Sequence, residues 1–347
     1  CGAVGGPAIG EAIHGSSDGN TAANGSGFPM VNRSRPDFGY QTQQSGTQET
    51  TSTATGSQLV GLVRLQVTLG YQNGAAVGTG MILNSTGKVV TNHHVIEGAT
   101  KILATDMSTG KRYVATLVGS DSSDDIAVLQ LQGASGLATV HPSTATAAVG
   151  QTVTAVGDAQ GATTLTASPG KVTALNQTIS PSDSSSAQNE TLTGIIQYAA
   201  DVMSGDSGGA TYDSSGSVIG MTTAASAGGM QTNGYAIPIS KVLSVATDLG
   251  NSVANTKYVY GLPAFIGVGV SQSDVVEQVY AGTGAATSGL VPGDRIVAID
   301  GTTISNASQL QAATRQRQVG DTLQVTWTTS ADKRHSATIR LISGPAR

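Results

Sequence analysis

From residue 59 onward, apolar side chains recur at every second position or in short runs, and turn residues break the runs. Val60, Leu62, Leu65 and Val67 lead into the turn Gln72-Asn73-Gly74, and Val77 and Met81-Ile82-Leu83 into Asn84-Ser85-Thr86-Gly87. Alternation bounded by such turns predicts strands joined as hairpins. The runs at 88–91, 112–117, 126–131, 152–156, 170–175, 194–198, 217–222 and 235–239 continue the pattern. Short strands at this spacing predict an all-β dominated fold built as a pair of β-barrels. A helical period enters only at 238–249, where Ile239, Val242, Leu243 and Val245-Ala246 make one stripe.

A second unit follows, over 258–344. Pro292-Gly293-Asp294 is a turn, Arg295-Ile296-Val297-Ala298-Ile299 an alternating strand, and Asp300-Gly301 a tight turn. A short helix is predicted over 307–316, with closing strands at 322–328 and 336–341. Residues 1–56 read as a low-complexity tail with no apolar period. Phe28, Phe38 and Tyr40 are its large apolar anchors, able to dock on the body or on a neighbouring subunit. The expected division is therefore a tail over 1–56, a first domain over 57–249, a linker over 250–257 and a second domain over 258–344.

Composition agrees with many short strands and turns: 46 glycines in 347 residues, 4% aromatics and 11% charged residues. A formal charge of −5 supplies no basic footprint, which argues against nucleic-acid partners. The single cysteine, Cys1, allows no intrachain disulfide. No apolar run reaches the ~18 residues that a membrane-spanning helix needs. A leading Cys has two readings, the lipid-bearing residue of a bacterial lipoprotein or a chain cut just after a signal segment. No metal cluster, phosphate loop or dinucleotide motif occurs, so no cofactor is expected.

Three blocks carry candidate chemistry: Thr91-Asn92-His93-His94-Val95, Asp124-Asp125-Ile126-Ala127-Val128-Leu129 and Gly205-Asp206-Ser207-Gly208-Gly209. A Ser hydroxyl is a poor nucleophile unless a base lies in hydrogen-bond reach and a carboxylate orients that base. The order His, Asp, Ser is that of chymotrypsin-type hydrolases. Glycines around Ser207 let backbone N–H groups of Gly205 and Ser207 point at a developing oxyanion, with Asp206 between them on the same loop. The residues alone leave His93 and His94 in competition, and likewise Asp121, Asp124 and Asp125. His14, His141 and His335 have no partner motif.

On these blocks, and on the turn at 292–294, residues 58–343 resemble the HtrA/Deg family. The resemblance implies a trypsin-like double β-barrel followed by a PDZ domain. The family's Thr-Asn-x-His-Val pattern selects His94 as base and leaves His93 as a solvated neighbour. Its acid precedes an Ile-Ala-Val-Leu strand, which selects Asp125 and leaves Asp121 and Asp124 as surface turn carboxylates. Ser207 is then the nucleophile. The family's Asn-Pro-Gly-Asn-Ser-Gly-Gly-Pro is here Met203-Ser204-Gly205-Asp206-Ser207-Gly208-Gly209-Ala210, so the loop forming the oxyanion hole has lost a proline.

Asp201, six places before Ser207, departs from the small apolar residue usual there. It either floors the S1 pocket and selects a basic P1 residue, or caps a turn facing solvent. Ala224 to Gly229, with Gly234 and Tyr235, are the expected pocket lining. In the second unit Phe265-Ile266-Gly267-Val268 matches the family's carboxylate-binding loop, with Leu310 and Ala313 bordering a side-chain pocket. Ile266 and Val268 read equally well as core. The resemblance implies an exported or envelope-located endopeptidase, acting on unfolded proteins, binding peptide C-termini and assembling as a homotrimer. The competing reading is a silent, client-binding relative, and an esterase would use the same triad.

Overall fold

The computed structural model describes residues 50–180, 191–226, 233–315 and 317–346. Cys1, His14, Phe28, Phe38, Tyr40, most of the polar loop at 180–189 and the lining residues 227–229 lie outside them. A two-residue strand, β1 (Ser52–Thr53), precedes the first barrel. That barrel consists of β2 (Leu62–Leu69), β3 (Gly74–Ile82), β4 (Lys88–Thr91), β5 (Lys101–Asp106), β6 (Arg112–Asp121) and β7 (Ile126–Leu131), and pairing of β6 with β7 closes it. The second consists of β8 (Thr152–Gly157), β9 (Thr166–Ile179), β10 (Leu192–Ala199), β11 (Ala210–Asp213), β12 (Val218–Ser226) and β13 (Asn233–Pro238), closed by β8 against β9. Both are closed six-stranded barrels.

The pleat explains the apolar runs. Successive side chains of a strand face opposite ways. In β4 and β7, Val89, Ala127 and Leu129 fill the first barrel, while Val90, Ile126 and Val128 face the cluster between the barrels. Both faces are buried, so the sequence there is continuously apolar. A one-turn helix α1 (His93–Ile96) follows β4, and α2 (Ile239–Gly250) follows β13. Along α2, Ile239, Val242, Val245, Ala246 and Leu249 are buried, close to the predicted stripe. They join Leu62, Met81, Ile195 and Met221 in the shared core.

Two boundaries differ from the expected ones. The end of the tail is structured: β1 pairs with β9, and Ala54 is buried in the shared core. Strand β14 (Tyr258–Tyr260), expected to open the second unit, instead pairs antiparallel with β6 at the edge of the first barrel. Its short alternating pattern satisfies either sheet, and only the free backbone edge of β6 decides between them.

The second unit contains β15 (Ala264–Phe265), β16 (Val268–Val270), β17 (Val276–Val279), α3 (Gly284–Ser288), β18 (Arg295–Ile299), β19 (Thr302–Thr303), α4 (Ala307–Arg315), β20 (Thr322–Thr328), β21 (Arg334–Arg340) and β22 (Ile342–Ser343). A four-stranded sheet in the order β19-β18-β20-β21 packs with the helices around Ile266, Leu290, Ile296, Leu310, Val325 and Trp327. Ile266 and Val268 are buried in this core, whereas Phe265 is half-buried. Gly267 has φ +102, and a Cβ there would overlap the Thr283 side chain. The backbone turn at 265–268 therefore requires glycine.

The unit meets the first barrel along a narrow seam. Tyr71, in the turn after β2, packs on Phe265 and Tyr280 with ring centroids 5.0 and 4.6 Å away. Beyond β22, the Ala346 N–H donates to the Ala99 carbonyl and the Gly98 N–H donates to the Ala346 carbonyl, both at 2.9 Å.

Candidate active site

His94 lies in α1, directly after β4. Asn92 immediately before that helix is fully buried, and its Nδ2 donates to the Asp125 carbonyl at 3.0 Å. That bond ties the His94 helix to the loop between β6 and β7. Asp125 adopts φ +53, a conformation that Asp tolerates better than bulkier residues. Its carboxylate accepts the His94 backbone N–H at 3.0 Å and faces His94 Nδ1 at 2.9 Å. The Thr223 hydroxyl donates to the same carboxylate. Burial pushes the Asp125 carboxyl up, but the His94 charge and the hydrogen bonds from His94 and Thr223 outweigh it and hold Asp125 below the usual range. The carboxylate is thus ionised and fixes the His94 tautomer with the proton on Nδ1, leaving the lone pair on Nε2.

Ser207 reaches this group through Thr223 as well, its hydroxyl donating to the Thr223 carbonyl at 3.4 Å. Its own carbonyl accepts from the Thr79 N–H at 2.9 Å. One residue thus holds Asp125 by its side chain and Ser207 by its backbone. Sequence reasoning missed Thr223, because nothing in Met221-Thr222-Thr223 marks it among the many threonines here.

The loop before Ser207 is held from several sides. The Asp206 N–H donates to the Met203 carbonyl at 3.1 Å, and Asp206 Oδ2 accepts the Met203 N–H at 2.9 Å. The Asp206 N–H is thereby committed, so of the three loop residues Asp206 is not an oxyanion donor. Among the described residues the N–H groups of Gly205 and Ser207 have no partner. Gly208 has φ +81, and a Cβ there would overlap the Thr79 carbonyl and the Thr91 hydroxyl. Thr79 Oγ1 donates to the Gly205 carbonyl at 3.0 Å, so β3 supports the loop from beneath.

Three expectations fail. His93 is not a solvated neighbour: only 4% is exposed, and burial lowers its pKa, so it is neutral. Within a one-turn helix packed on the barrel, two adjacent residues both face protein. Asp121 is not a surface carboxylate either. It is 1% exposed and accepts from the Ser123 hydroxyl at 2.6 Å and the Asp124 N–H at 3.2 Å. Asp124 pairs with Lys241 at 2.6 Å. Asp201 does not floor a closed pocket. It is exposed and accepts from the Thr51 hydroxyl at 3.5 Å. The chain turns outward there, with Val202 pointing in beside Gly234. Tyr235 is half-buried on β13. No group of three or more metal-ligating side chains occurs among the described residues.

Residues 78–221 match the trypsin-like peptidase domain, and residues 260–327 match the PDZ domain. Serine protease PepD of Mycobacterium tuberculosis is 30% identical over 284 residues, covering 77% of this chain and 60% of PepD. The periplasmic pH-dependent serine endoprotease DegQ of Escherichia coli is 32% identical over 249 residues, covering 68% and 53% respectively. The chain thus spans little more than half the length of these curated relatives. The crystal structure of the active form of the Rv3671c protease from M. tuberculosis superposes with a TM-score of 0.50 at 24% identity, covering 56% of this chain and 82% of that one. The fold is accordingly a trypsin-like double barrel with a PDZ domain, and the chain belongs to the HtrA/Deg family of serine proteases.

Proposed function

We propose that this chain is a serine endopeptidase in which Ser207 is the nucleophile, His94 the general base and Asp125 the orienting carboxylate. The observation that carries the proposal is the contact of Asp125 with both His94 Nδ1 and Thr223, the residue whose carbonyl also holds Ser207. Rotation of the Ser207 hydroxyl from that carbonyl to His94 Nε2 starts the reaction. Oγ attacks the scissile carbonyl as its proton passes to Nε2, and the N–H groups of Gly205 and Ser207 hold the oxyanion. The imidazolium then protonates the leaving amine, and water hydrolyses the acyl-enzyme by the same route.

The PDZ domain captures peptide C-termini at Phe265-Ile266-Gly267-Val268, whose backbone N–H groups receive the carboxylate while the peptide adds a strand to β16. Substrates are unfolded or damaged chains. The periplasmic relatives support an extracytoplasmic location. Among the described residues no helix is long and apolar enough to cross a membrane. Assembly as a homotrimer belongs to the same proposal.

The experiment is hydrolysis of unfolded casein by the wild type and by Ser207→Ala, with cleavage sites read by mass spectrometry. Wild-type cutting that falls about 10⁴- to 10⁶-fold in the variant, at unchanged fold, is the expected result. Equal cutting by both overturns the assignment of Ser207. No cutting by either, even with a C-terminal peptide added, favours the client-binding reading. One observation supports that reading, the Ser207 hydroxyl resting on the Thr223 carbonyl.

A further inference from the structure

Beneath the loop that precedes Ser207 lie two buried carboxyl groups that the mechanism above does not use. Asp206 is 2% exposed and Asp158, at the end of β8, is 0% exposed. Each has one oxygen engaged. Asp206 Oδ2 takes the Met203 N–H, and Asp158 Oδ2 takes Arg64 Nε at 2.7 Å. The second oxygen of each, Oδ1, is buried with no hydrogen-bond partner among the described residues. The two residues lie close in the fold: a Cβ on Gly157, next to Asp158, would lie 2.7 Å from Asp206 Oδ1, and Asp158 is within electrostatic reach of Asp206. An anionic oxygen without a donor is costly in such a place, and a second negative charge within reach adds to the cost.

We propose that Asp158 and Asp206 form a positioning pair for the oxyanion loop that works with a proton bound, so that losing the proton loosens residues 203–207. The proposal rests on the reading of Gly205 and Ser207 as oxyanion donors. The linkage is short. Asp206 closes the turn from Met203 by both its N–H and its carboxylate, and Gly205 and Ser207 flank it. Asp158 grips the same floor from the other side, its N–H donating to Thr79 Oγ1, which in turn donates to the Gly205 carbonyl.

The charged and titratable groups around the pair are few. Arg64 on β2 is committed to Asp158 and to the Gly161 carbonyl. Asp201, on the segment after β10, adds negative charge at Asp206. Tyr198 on β10 lies within electrostatic reach of Asp206, and its hydroxyl pairs with Thr222. The guanidinium of Arg64 is thus bound to Asp158, while Asp206 and Asp201 bring two further negative charges. Burial pushes Asp206 up to about 6, with Asp158 and Asp201 adding to it against the Met203 N–H, and burial likewise pushes Asp158 to about 6 despite Arg64. The group is thus protonated below that value and anionic above it. Both carboxyls bind protons more tightly folded than unfolded, so the strain sets in as pH rises from about 4 to about 6 and persists above.

Asparagine is the isostere of a protonated carboxyl, with one oxygen to accept the Met203 N–H and a permanent donor on the other atom. The test is the pH dependence of kcat/KM for a peptide substrate, from about pH 4 to about pH 8, for wild type and Asp206→Asn. Their ratio cancels the titration of His94, which both share. The expected ratio of variant to wild type climbs by up to tenfold per unit as pH rises from about 4 to about 6, as linkage of a single proton requires, and is level above that. The infrared band of the protonated Asp206 carboxyl near pH 5 should vanish in the variant.

A ratio that does not change with pH overturns the proposal. A folded Asp206→Asn protein inactive at every pH also overturns it, since the charge itself would then be needed. If that variant fails to fold, Asp158→Asn removes the other charge of the pair and reads the same ratio. Ser207→Ala run alongside separates the two claims: if it retains activity the active-site assignment fails, and if it alone is inactive while the ratio is flat only this inference fails.

Discussion

Replacing Thr223 by valine keeps its shape and its backbone carbonyl but removes the hydroxyl that donates to Asp125. Thr223 is 3% exposed, so water does not readily replace the lost donor. A hydrogen bond to a buried charge is worth about 1.5–3 kcal/mol. If the whole of it is felt in the transition state, where His94 becomes cationic, kcat/KM falls about 10- to 150-fold. The loss should stay below that of Asp125→Asn, because the contacts of Asp125 with His94 Nδ1 and the His94 N–H remain. The pH profile gives a second signature. Asp125 is held below the usual carboxylate range, so its support is present above that range and is lost as pH falls through the depressed value. Without the Thr223 hydroxyl the acid limb moves to higher pH. Steady-state kinetics on a chromogenic peptide, with active-site titration and melting curves, measures all of this. A folded Thr223→Val protein within twofold of wild type, with an unmoved acid limb, would refute the role given to Thr223.

Gly208→Ala should cost about 2–5 kcal/mol, from overlap with the Thr79 carbonyl and Thr91 hydroxyl plus a left-handed backbone on alanine. Calorimetry would show it as a large fall in Tm, and an unchanged Tm would mean that the loop does not adopt the φ described. Asp201→Ala should leave the P1 preference unaltered in a peptide library, since Asp201 faces solvent and Thr51. Selective loss of cleavage after Lys or Arg would restore it to the S1 pocket.

What the sequence makes legible follows from local chemistry. Strands β4, β7 and β20 have the bounds that their apolar runs predict, because turn residues flank each one. His94, Asp125 and Ser207 each sit in a recognisable local motif, and the fold brings the first two into contact. What sequence patterns do not encode is which side of a segment meets protein. His93 and Asp121 look like exposed polar residues, yet tertiary contacts bury both. Thr223 and Asp158 act through partners 98 and 94 residues away, and no local pattern reports such pairs. Asp201 fails for the related reason that an offset of six residues fixes a chain position but not a direction. Tyr258–Tyr260 shows that a short strand takes its sheet from whichever edge lies within reach.

The seam has a mechanical consequence. The PDZ domain touches the first barrel at both ends of its own chain, through β14 on β6 and, beside the Tyr71 packing, through Ala346 at Gly98 and Ala99. A body clamped at two points cannot flail on a tether. Its easiest motion is rotation about the line that joins the clamps, as a door turns on two hinges. One hinge is bolted two residues beyond the helix that carries His94. Turning the PDZ domain therefore loads that helix with torque, whereas unfastening the Ala346 clamp would leave the histidine undisturbed.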